Sequence, residues 1–80
     1  MSILENYRKG KKCVTDTYDV LRLVKYPHEI KDMLKEMYQY SKNEINKEIE
    51  RQIIENDSDN SRLLFWYGYR SQCKTYLNKL

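Results

Sequence analysis

Few residues in this 80-residue chain could make or break bonds. Cys13 and Cys73 lie sixty positions apart, and His28 is the one imidazole. Two thiols and one histidine cannot complete a four-ligand zinc site, and no CxxC occurs. Gly10 and Gly68 are the only glycines, so no glycine-rich phosphate loop exists, and neither HExxH nor GxSxG is present. Glu44, Glu48 and Glu55 fall on one side of a predicted helix. Acid–base work there would need burial to displace a pKa. With Lys47 and Arg51 beside them, the spacing predicts a solvated face instead. His28 follows Pro27 and reads as a solvated first-turn residue. The sequence therefore predicts no catalytic residue, no metal site, no cofactor and no enzymatic activity.

What remains is the chemistry of contact. Arg8, Lys9, Lys11 and Lys12 surround Gly10, and four cations this close attract phosphate backbones through counterion release. They are the candidate nucleic-acid or anion contacts. Phe65, Trp66, Tyr67, Gly68, Tyr69 and Arg70 interleave rings with a cation. On an isolated surface such a run would be a stacking platform for single strands. On a helix its rings point around most of the circumference, which predicts a protein interface.

The elements that must position these groups are helical. Pro27 suits the first turn of a helix, and Glu29 and Asp32 place negative charge at its dipole's positive end. Ile30, Met33, Leu34, Met37, Ile45, Ile49 and Ile53 then recur in steps of three and four, with Ser41 as the weak point of the stripe. No Gly or Pro interrupts residues 28–56, so a helix about 42 Å long is predicted there. Residues 56–60, Asn-Asp-Ser-Asp-Asn, form a turn with several N-cap side chains. A second helix follows over about 60–79, antiparallel to the first because the loop is short. Leu63, Trp66, Arg70, Cys73, Leu77 and Leu80 give it coiled-coil spacing. Arg70 either pairs with an acidic residue of the long helix or marks a stripe rotated toward Leu64, Tyr67 and Lys74. Gly68, Ser71 and Thr75 form a ridge of small residues that another backbone could approach closely. The β-branched stretch at 14–26 could be a strand, but a lone strand lacks a partner. A short helix carrying Val14, Tyr18, Leu21 and Val24 is predicted instead, preceded by a basic arm at 1–13. The whole is one all-α domain, an antiparallel helical hairpin with an N-terminal arm and short helix.

Charge is segmented along the chain. Residues 1–26 carry a balance of +3, residues 27–57 of −3 and residues 58–80 of +3, within a net charge of +3. This pattern sets orientation between helices, or between copies, more than stability. There is no alanine, and Lys, Asn, Ile and Tyr supply 30 of the 80 residues, a bias that AT-rich codons produce. Residues 1–13 lack the apolar stretch of a secretory signal, and no apolar run approaches 18 residues. The thiols are expected to be free in a reducing compartment. No membrane partner is expected. The second helix is apolar nearly all round in its first half and cannot be covered by one long helix. A second copy of the chain or a larger protein is therefore expected to complete its cover; the alternative is a compact three-helix monomer in which the N-terminal helix closes the bundle.

The stretch SRLLFWYGYRSQCKTYLNKL, with the helix before it, resembles small bacteriophage proteins. These have a long polar helix, a short acidic turn and a closing helix of the form R-x5-G-x4-C/L-x3-L, matched here by Arg62, Gly68, Cys73 and Leu77. The resemblance spans residues 28–80. It implies a phage structural or assembly protein that is oligomeric and binds a larger scaffold such as the capsid interior, with DNA as a further partner. An early protein that inhibits a host or defence factor, and a nucleic-acid-binding regulator, are the alternatives. The implied location is the virion or the host cytoplasm.

Overall fold

A computed structural model describes residues 3–80. It is all-α among these residues: α1 spans Ile3–Val24, α2 Pro27–Glu55 and α3 Ser61–Lys79. The expected arm and short helix are one continuous helix, apart from Met1 and Ser2, which lie outside the described residues. Gly10 does not break it. A mid-helix glycine costs about 1 kcal/mol in propensity, and here it lets a second backbone pack against the helix. The β-branched Thr15 and Thr17 also fit, because their hydroxyls donate to the carbonyls of Lys11 and Cys13 at 3.1 and 2.9 Å.

The α1–α2 connection is short. Pro27 opens α2, and Tyr26 before it is extended, as a residue preceding proline must be. Lys25 reaches Glu29 across the turn at 3.7 Å, and the exposed His28 ring lies parallel to Tyr26. At its far end α2 stops at Asn56, whose left-handed φ of 53° suits an asparagine and lets its N–H bond the Gln52 carbonyl. Asp59, rather than Asn60, caps α3: its carboxylate accepts from the Ser61 N–H at 3.0 Å and the Ser61 hydroxyl at 2.7 Å.

Helix α3 lies between the other two, and α1 and α2 touch little beyond their shared turn. α2 and α3 run antiparallel, as expected: Tyr40 meets Trp66, and the Gln52 amide donates to the Asp59 carbonyl. α1 and α3 run parallel, since Tyr7 faces Gly68, Thr15 bonds Gln72 and Tyr18 stacks on Tyr76. The tightest pair is thus the two basic helices, and the acidic α2 flanks them. The molecule measures 44 × 24 × 18 Å.

The core is small. Val14, Leu21, Ile30, Leu34 and Cys73 form its buried cluster, with Tyr18, Met33, Met37, Tyr69, Tyr76 and Leu77 packed around it. On α2 the buried line is Ile30, Leu34, Ser41, Ile45 and Glu48. Ile49 and Ile53 fall outside it, because steps of four advance the helix by 400° and the stripe drifts off the buried face. Ser41 needs no partner helix: its hydroxyl donates to the Tyr38 carbonyl at 2.6 Å. On α3 the buried positions are Gly68 and Cys73. The stripe therefore turns toward Tyr69 and Tyr76, opposite to the rotation considered from sequence, and Lys74 is exposed.

Candidate functional site

Two glycines let the backbones of α1 and α3 approach each other closely. A Cβ added at Gly10 would stand 1.9 Å from the Phe65 carbonyl oxygen, and one at Gly68 would stand 2.0 Å from that of Tyr7. The small-residue ridge on α3 thus has a function at Gly68, where the approaching backbone is α1. The ridge does not continue, because α1 follows Gln72 and Tyr76 while Thr75 stays exposed. Both glycines keep ordinary negative φ, so they are needed for the lack of a side chain and not for backbone freedom.

The residues expected to form a protein interface sit around this crossing. Gly68 is buried against Tyr7 and unavailable to a partner. Trp66 is half-buried, edge-on to Tyr40, Phe65 and Tyr69 with ring centroids 5.1–5.5 Å apart. Burial pushes the Tyr69 hydroxyl up to about 12. Arg70 makes no ion pair with α2; its guanidinium lies 5.1 Å from the centre of the Tyr67 ring. The all-round apolar surface of α3 is therefore largely covered within the chain, by α1 on one side and α2 on the other. Phe65 and Trp66, with Glu44, Glu48 and Arg62, line an open groove of ≈ 320 Å³ between α2 and α3.

The carboxylates of α2 are not a uniform solvated face. Glu48 is 7% exposed and bonds the Arg51 guanidinium through both oxygens. Arg51 also donates to Glu55 at 2.7 Å and to Asp57 at 3.1 Å, tying the end of α2 to the turn. The Arg51 hydrogen bonds hold the Glu48 carboxyl below the usual range, against the opposing effect of burial. Asp57 is lowered first by the N–H of Asp59 and then by Arg51. This hub was hidden in sequence, since Glu48 breaks the apolar stripe that marks the buried line; the Arg51-to-Asp57 spacing across a turn gave no helical signal.

The four candidate anion contacts are distributed around α1. Lys12 pairs with Asp16 at 2.9 Å. Lys11 lies over the Tyr7 ring, 5.5 Å from its centre. Arg8 and Lys9 are exposed. Residues two apart point to opposite sides of a helix, so Lys9 and Lys11 cannot serve one surface. Sequence reasoning missed Arg22 and Lys79, which the parallel packing brings together. The Tyr18 and Tyr76 rings stack at 4.0 Å, Arg22 lies 5.8 Å from the centre of Tyr18, and Lys79 lies 5.7 Å from that of Tyr76. The result is a four-layer stack of cation, ring, ring, cation across the α1–α3 seam.

Cys13 is exposed and Cys73 buried, and both are free. Burial pushes the Cys73 thiol up to about 12, which makes it an inert packing residue. Among the described residues no group of three or more His, Cys, Asp or Glu could hold a metal ion. None of the described helices is long and apolar enough to cross a membrane. No family model, curated protein or solved structure matches the chain.

Proposed function

We propose that this chain is a non-enzymatic assembly protein that associates with further copies of itself and with a larger protein scaffold. The observation that carries the proposal is the apolar surface at the two ends of the long axis. At the α1–α2 turn, Val20, Leu23, Val24 and Tyr26 are 60%, 85%, 66% and 70% exposed. Val20, Leu23 and Val24 share one side of α1 by their spacing of three and four. At the other end of α2, Ile53 and Ile54 are 75% and 82% exposed. Clustered exposed aliphatics of this kind mark interaction sites in soluble proteins, whereas scattered single ones do not. The ground for association is thus the helix ends and not Trp66, whose cover comes from within the chain.

Because the two patches stand at opposite ends of α2, a copy joined through one still presents the other. Such heterologous contacts build rings or filaments rather than closed dimers. This suits a repeated minor component of a larger particle, the role that the resemblance to phage proteins implies. Sedimentation over a range of concentrations tests the proposal. Mass should rise with concentration for the wild type, and L23S/V24S should remain monomeric with unchanged helical content. A wild type that stays monomeric up to several hundred micromolar would refute self-association. Mass spectrometry of purified particles of the encoding phage tests the scaffold: the chain should remain with particles through density-gradient purification.

A further inference from the structure

The cations of this protein are handled in two ways. On α2, Lys47 and Arg51 pair with carboxylates, while Lys42 lies over the Tyr38 ring and Lys31 and Lys35 form no ion pair among the described residues. On α1 and α3, Lys12 is the one cation with an ion pair among the described residues. The others there form no ion pair among the described residues, although Arg62 stands near Glu48 and Asp59, and four of them lie over tyrosine rings: Lys11, Arg22, Arg70 and Lys79. A ring orders a cation without cancelling its charge, so these groups still project positive potential. Helix α3 also carries four Lys/Arg and no Asp or Glu. Its parallel packing on α1 therefore joins two basic segments that lie far apart in sequence.

We infer that the α1–α3 seam is a track for a nucleic-acid backbone, with Arg8, Lys11, Arg22 and Lys79 as the phosphate-binding cations. Lys11, Thr15, Tyr18 and Arg22 follow one another in steps of four, three and four, which places them on one flank of α1. That flank faces α3, because the Thr15 hydroxyl accepts from Gln72 at 3.2 Å and lies 3.4 Å from the Tyr76 hydroxyl. Arg8 extends the line one turn before Lys11. From Arg8 to Arg22 the track is about 21 Å long at 1.5 Å per residue. A duplex strand passes about six phosphates in that distance, at 3.4 Å each. Between Lys11 and Arg22 the flank offers a hydroxyl and a ring and no aliphatic side chain to insert into a bilayer, which favours a nucleic acid over an anionic membrane. Asp19 lies three residues from Arg22, next to Tyr18 of the track, and forms no ion pair among the described residues, whereas Asp16 is held by Lys12.

Fluorescence anisotropy with labelled random-sequence 20-base-pair DNA, from 50 to 200 mM salt, tests this. Four phosphate contacts predict an affinity loss of about 150-fold across that range, and R22Q/K79Q should reduce it to about 12-fold. Asp19→Asn should tighten binding. Lys9→Gln, on the opposite side of α1, and Lys35→Gln on α2 should leave the salt slope unchanged, with helical content checked for every variant. Absence of binding at 50 mM salt would overturn the inference. So would equal losses in the Lys35→Gln control, which would show attraction to net charge alone. Binding to vesicles containing phosphatidylserine without binding to DNA would assign the face to a membrane and also overturn it.

Discussion

One methyl group placed at Gly68 should destabilise the protein, although helix propensity argues for the opposite. Alanine inside a helix is favoured over glycine by about 1 kcal/mol. The new Cβ, however, would stand 2.0 Å from the Tyr7 carbonyl oxygen, where ordinary contact begins at 3.4 Å. The obstacle is backbone, so no rotamer change relieves it. α1 and α3 must separate by about 1.4 Å at the crossing. Overpacking of this kind costs about 1–3 kcal/mol. Parting the Tyr18–Tyr76 stack along the same seam removes a further ~1 kcal/mol. With propensity credited, Gly68→Ala should lose about 2 kcal/mol, a fall in Tm of roughly 8–16 °C for a domain this small. Gly10→Ala meets the Phe65 oxygen at 1.9 Å and should behave alike. Because one separation accommodates both methyl groups, G10A/G68A should lose less than the two single losses added together, by about 1–2 kcal/mol. Urea unfolding followed at 222 nm measures all three. A Gly68→Ala midpoint equal to or above wild type at the same slope would refute the reasoning. Strict additivity in the double variant would show that the two glycines do not share a crossing.

Other outcomes follow from the same geometry. A thiol reagent at neutral pH should add one label to the native protein, at Cys13, and a second only on unfolding, because Cys73 is buried with its thiol raised to about 12; two labels at equal rates would place Cys73 at the surface. The lowered carboxyls of Glu48, Asp57 and Asp59 give stability that is full above their unfolded values of 4.5 and 3.8 and is lost as pH falls through the folded values. Tm should therefore decline below about pH 4.5, and Arg51→Gln should flatten that decline while lowering Tm at pH 7. Asp59 should keep its share in that variant, since Ser61 is its main partner; removing the share should take Ser61→Ala as well.

How much of this could be read from the sequence depends on whether the signal was local. The bounds of α2 were legible, because Pro27 and the 56–60 turn are local chemistry. The antiparallel α2–α3 pair was legible from loop length. Close approach at Gly68 was legible too, but the approaching backbone was not, because nothing at Gly68 names Tyr7. The continuation of α1 through the expected basic arm was not legible, because Gly10 lowers helix propensity there. A glycine that packs and a glycine that ends a helix look alike until the opposing helix is known. Glu48 and Arg51 read as solvated charge, because their i, i+3 spacing marks a helical ion pair but not its burial, and the reach of Arg51 to Asp57 in the turn leaves no periodic trace. Arg22 and Lys79 escaped notice for the same reason: 57 positions separate them in the chain, and only parallel packing unites them.

That packing has a consequence for how the chain is made. Thr15 finds its hydrogen-bond partners at Gln72 and Tyr76, so α1 leaves the ribosome before its packing partner α3 has been synthesised. At about 5–20 residues per second the interval is a few seconds, during which Val14, Tyr18 and Leu21 have no lasting shelter. A message cut short after the codon for Asn60 would yield a product with two helices that scarcely touch, and quality control, rather than weak folding, would decide its fate.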